Sequence, residues 1–143
     1  MNAPDSAAVW LEVERWIAHA QIDHRAAAVC LAADPPLLDV AAFHCQQAAE
    51  KLLKGFLVSA GRIVRKTHDL AELGASVATA YPAVTDLIEN IDVWTVWNIA
   101  YRYPSEDFSE AVPSPEELTE ALVVVSRLVE ALRSQRPDGA GCP

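Results

Sequence analysis

The chain is short of positive charge and of cysteine, and it has no long apolar run; each shortage excludes something. Eleven Lys and Arg stand against 20 Asp and Glu, a net charge of −9. That balance repels a phosphate backbone over most of a surface and argues against general nucleic-acid coating. A small basic patch survives the argument, because screening at physiological salt acts over about 8 Å. The three cysteines, Cys30, Cys45 and Cys142, show neither CxxC nor Cys/His metal spacing. Neither a disulfide framework nor a metal site is therefore expected, and no motif asks for a cofactor. No stretch is apolar for long enough to cross a bilayer, and MNAPDSAAVW lacks a basic region ahead of its apolar residues. A cytoplasmic protein without membrane contact is expected.

What the chain does have is apolar content: 52% of its 143 residues are hydrophobic, enough to build one core without staples. The apolar positions recur at three and four rather than at two, which predicts an all-α fold. A first helix from about Ser6 to Ala33 carries the stripe Trp10, Val13, Ile17, Ala20, Ala27 and Leu31, with His24 on the same side, and Asp34, Pro35 and Pro36 stop it. A second, about Leu38 to Ala60, aligns Ala42, Cys45, Ala49, Leu52, Leu53, Phe56 and Ala60, with Gly61 as a left-handed stop. Asp69 and Glu72 read as the N-cap and third-position pair of a short helix to about Tyr81.

A fourth helix, about Pro82 to Tyr103, shows one apolar face through Val84, Leu87, Ile88, Ile91, Trp94 and Thr95 and a second through Val93, Val96 and Trp97. A helix apolar on both sides is buried on both sides. In a chain this small the second neighbour is expected to be another subunit, with Trp97 and Val93 as contacts. After the acidic, proline-rich loop YPSEDFSEAVPSP, Ser114, Pro115 and Glu117 give N-cap, first-turn proline and capping-box glutamate. The last helix follows through Leu118, Ala121, Leu122, Val125, Leu128, Val129 and Leu132. Residues 1–133 are thus expected to form one helical domain, and 134–143 a flexible tail.

Three groups of residues could carry chemistry. Asn98 and Arg102 continue the apolar line of the fourth helix, so an amide and a guanidinium lie where burial is expected. A buried arginine needs a carboxylate partner or an anionic ligand, since it cannot discharge. Tyr101 and Tyr103 flank it and could line a pocket. His44, Gln47, Lys51 and Lys54 form a row opposite the apolar side of the second helix, which is either its solvated face or, with Arg62, Arg65 and Lys66 in the connector, a phosphate or acidic-partner site. His68 stands before a helix N-terminus, where free amides can help hold an anion or where the residue serves as a local staple.

Four segments together, AQIDHRAAA, HCQQAAEKLLKGFLVSAG, KTHDLAEL and YRYP, resemble the HEPN family, the higher-eukaryote and prokaryote nucleotide-binding domains, over about Trp10 to Pro104. The resemblance implies an antiparallel bundle of about five helices that dimerises, and a role beside a small nucleotidyltransferase in toxin and antitoxin pairs. It implies a nucleotide, phosphate or RNA ligand. Many members are metal-independent ribonucleases with an Arg and, several positions on, a His at the dimer interface. Here Arg102 is followed by Tyr103, Pro104, Ser105, Glu106, Asp107 and Phe108, with no histidine. Attack by a 2′-hydroxyl needs a proton acceptor and donor near neutral pH. Little or no ribonuclease activity is therefore expected, with a ribonuclease toxin and a ligand-free interaction module as the alternatives.

Overall fold

The computed structural model describes residues 5–100 and 112–138, without the side chains of residues 99 and 100. Helices pack as an all-α bundle, and no strand occurs among the described residues. The first helix, α1, spans Ser6–Ala32, and Asp5 caps it by accepting from the Ala7 amide. Helix α2 spans Leu38–Ser59 and α3 spans Leu70–Ala80. Two single-turn helices follow, α4 (Thr85–Ile88) and α5 (Trp97–Ala100), and then the long α6 (Pro115–Ser134). No helix among the described residues is long and apolar enough to cross a membrane.

Local chemistry fixes most of these ends. Gly61 has φ of 68°, the left-handed conformation that a Cβ disfavours. From there the Arg62 amide donates to Leu57 O at 2.9 Å and the Gly61 amide to Val58 O at 3.0 Å, closing the last turn of α2. Asp69 accepts from the Ala71 and Glu72 amides. Ser114 accepts from the Glu117 amide at 3.1 Å as the N-cap of α6, and its hydroxyl also lies 3.3 Å from the Glu117 carboxylate, to which it donates.

Helix α2 lies at the centre, in contact with α1, α3, α5 and α6. It is therefore buried nearly all round, through Ala41, Ala42, Cys45, Ala48, Ala49, Leu52, Leu53, Phe56 and Leu57. Pairing runs antiparallel with α1: Asp23 meets His44 and Lys51, and Trp16, further back along α1, meets Gly55, further on along α2. The close approach at Gly55 has a cost for any side chain. A Cβ there would lie 2.9 Å from Leu132 Cδ2 of α6 and 3.3 Å from Trp16 Cβ of α1. Gly55→Ala is expected to lower stability by about 1–3 kcal/mol through this overpacking, as a fall in the urea midpoint; an unchanged midpoint would show that Leu132 yields freely.

The continuous fourth helix expected from the sequence is broken. Residues 82–100 instead run as a 3₁₀ turn at Pro82–Val84, α4, a second 3₁₀ turn at Asp92–Val96, and α5. The segment TDLIENIDVWTV is dense in β-branched and Asn/Asp residues, which lose rotamer freedom in a helix or compete for its backbone bonds. The tighter bonding is visible where the Ile91 amide donates to Ile88 O and the Trp94 amide to Ile91 O. Thr95 Oγ1 accepts from the Leu70 amide, tying the segment to the start of α3. With the helix broken, one regular line cannot carry Asn98 and Arg102 forward from Val84.

Candidate functional site

Among the described residues, four polar side chains are buried in the core: Asp23 on α1 and Gln46, Glu50 and Lys54 on α2. They organise two clusters. In the first, the Asp23 carboxylate takes both partners at once: His44 donates through Nδ1 to Oδ1 at 2.8 Å, and the Lys51 ammonium donates to Oδ2. In the second, Glu50 accepts from His68 Nδ1 at 2.7 Å and from Gln46 Nε2 at 3.4 Å on Oε1, and from Lys54 Nζ at 3.2 Å on Oε2. Gln47 donates to Gln46 Oε1 at 2.6 Å, and Gln46 donates also to the His68 carbonyl at 3.5 Å. Each buried carboxylate thus joins an ammonium and an imidazole, and each imidazole donates to it through Nδ1.

The row on α2 is accordingly not a solvated face. Lys54 is buried, and His44, Gln47 and Lys51 are half-buried. Asp23 of α1 packs against His44 and Lys51, and His68 of the connector against Glu50 beside Lys54, so the burial is a tertiary effect. Both lysines have their charge engaged by a carboxylate. His68, by contrast, keeps 65% of its side chain exposed while bonding Glu50, so it links the connector to α2 rather than filling the core. Burial pushes the Cys45 thiol up to about 12 from an ordinary value of 9.0, and the Asp23 charge adds to the effect.

Asp23, Gln46 and Glu50 are the residues that sequence reasoning missed. For Asp23 a signal existed: it stands three residues after Ala20 and four before Ala27, both on the inward stripe of α1. His24, on the same stripe, is half-buried and donates through Nε2 to the Leu122 carbonyl of α6 at 3.1 Å.

The basic connector borders a separate groove of about 530 Å³ between the end of α2 and α3. Arg62 and Arg65 stand at it with Leu57, Ile63, Leu73 and Glu72. Arg65 makes a long, exposed pair with Glu72 at 3.4 Å.

Of the other candidates, Arg102, Tyr101 and Tyr103 lie outside the described residues. Asn98 is half-buried, and its Oδ1 is buried with no hydrogen-bond partner among the described residues. Trp97 is buried and stacked on Trp94, with ring centroids 5.1 Å apart and planes at 11°, whereas Val93 is 63% exposed. A single chain therefore already covers Trp97, and Val93 is the member of the second apolar face that stays open.

Comparison with curated proteins and with solved structures gives no match. The HEPN domain model matches residues 13–135, most of the chain and every helix described above in whole or in part, and the chain belongs to the HEPN domain family.

Proposed function

We propose that this HEPN chain is a homodimeric subunit that binds a nucleotide or phosphate group beside Arg102 and works with a small nucleotidyltransferase partner, in a toxin–antitoxin type of system, with little or no ribonuclease activity of its own. The observation that carries the reading is Asn98. Its carbonyl oxygen is buried and unpaired among the described residues, and such an acceptor costs about 1–3 kcal/mol unless a donor arrives. It stands four residues before Arg102 in sequence, so an amide acceptor suited to a base N–H and a guanidinium suited to a phosphate come from one short stretch. Lys51 and Lys54 are paired with Asp23 and Glu50, so the proposed ligand relies on Arg102 rather than on free lysine charge. The missing histidine after Arg102 removes the proton-transfer group that RNA cleavage needs.

Thermal unfolding with added nucleoside phosphates tests the proposal. A ligand at about 100 times its Kd adds roughly 2.7 kcal/mol, so the melting temperature should rise with concentration for the wild type and stay flat for Arg102→Ala. Absence of any shift favours the ligand-free interaction module. Robust RNA cleavage that Arg102→Ala abolishes establishes the ribonuclease instead.

A further inference from the structure

Helix α1 has a second apolar stripe that the fold leaves uncovered. Leu11, Ile22 and Val29 are 48%, 66% and 64% exposed. At about 100° per residue they share one line, opposite the buried Val13, Ile17, Ala20 and Ala27. Exposed Arg15, Ala18 and Arg25 fill the line between them. The resulting spacing, residues 11, 15, 18, 22, 25 and 29, alternates four and three, which is the spacing of a seam that receives another helix. A surface helix ordinarily keeps this side polar.

Charge decides what the seam receives. Its polar members are both arginines, in a chain whose net charge is −9. Near its N-terminal end the stripe opens into a groove of about 710 Å³, where Arg15 and His19 stand with Leu11, Trp16 and Glu12, and Lys51 lines it with its charge taken up by Asp23. A second copy of the chain fits poorly. Antiparallel pairing about the middle of the stripe sets Leu11 against Val29 and Ala18 against Ile22, but also Arg15 against Arg25; parallel pairing in register sets each arginine against itself. Like charges so placed oppose association.

We infer that the outward face of α1 is a docking seam for an acidic amphipathic helix of a different protein. Apolar residues of that helix cover Leu11, Ile22 and Val29, and its carboxylates meet Arg15 and Arg25. From Leu11 to Val29 the seam is about 27 Å long, five turns of a partner helix. The inference does not depend on nucleotide binding near Arg102.

A defined probe tests it: a helical peptide of about three heptads, with leucine at the seam positions and glutamate where it faces the arginines, and a second peptide with lysine in place of each glutamate. Fluorescence anisotropy should show that the glutamate peptide binds the full chain and the lysine peptide does not. Ile22→Asp should weaken binding by about tenfold or more, and Arg15→Glu with Arg25→Glu should transfer the preference to the lysine peptide. These positions are exposed, so circular dichroism should find each variant folded as the wild type. The inference is overturned by no binding of the glutamate peptide, by equal binding of both peptides, or by sedimentation that shows wild-type self-association lost in Ile22→Asp.

Discussion

Glu50→Ala is expected to destabilise the fold by about 3–5 kcal/mol, because it leaves the buried ammonium of Lys54 without its carboxylate. His68 and Gln46 lose the same acceptor, and the connector between α2 and α3 loses the His68 side-chain bond to the central helix. Most of the effect comes from the stranded charge, not from the worth of the pair, and a second variant separates the two. Replacing both partners by apolar residues of similar size, Glu50→Leu with Lys54→Met, removes the charge together with its counter-charge and is expected to be near neutral or stabilising. Urea unfolding followed by circular dichroism measures both. A Glu50→Ala loss below about 1 kcal/mol would mean that water reaches Lys54, and a double variant as damaged as the single one would mean that the polar bonds themselves hold the core.

The contrast between what could and could not be read from the sequence follows from how far each cause reaches. Asp69, Ser114 and Gly61 act on backbone groups within a few residues, so their roles were legible: Asp69 and Ser114 accept from amides of the first helical turn, and Gly61 closes α2, although the Asp69 amide bonds Thr67 rather than Glu72. The stripe of α6 was legible for the same reason, since one face of that helix meets the bundle; all its expected members are buried except the half-buried Leu122. Lys54 and Glu50 were not. Their burial depends on the other elements that pack around α2, which no periodicity within α2 reveals. The fourth helix failed in a different way. Its apolar spacing was right, with Val84, Ile88, Ile91 and Trp94 buried, but periodicity reports which residues face inward and not whether the backbone between them stays helical. Trp97 shows the consequence, for after the break at residues 89–91 it turns onto Trp94 instead of outward.

Cys45 makes alkaline stability a direct readout of the α1–α2 contact. In the unfolded chain its thiol ionises near the ordinary value of 9.0, whereas in the fold burial, and next the Asp23 carboxylate, hold the proton until about 12. Between those values the unfolded state binds fewer protons than the native state, so stability falls as pH rises. The contribution is intact below pH 9, declines by about 1.4 kcal/mol per unit through the window, and amounts to about 4 kcal/mol lost by pH 12. The quantity to measure is the difference between wild type and Cys45→Val, which cannot ionise and so isolates the thiol. That difference should move against the wild type as pH rises from 9 toward 12. Asp23→Asn should leave most of the slope in place, because desolvation is the larger cause. Parallel curves for wild type and Cys45→Val across the window would show that the thiol is not sealed beneath Asp23. Rapid modification of Cys45 by a thiol reagent in a folded variant lacking Cys30 and Cys142 would show the same, because the thiolate needed for that reaction forms only where water and the reagent can enter.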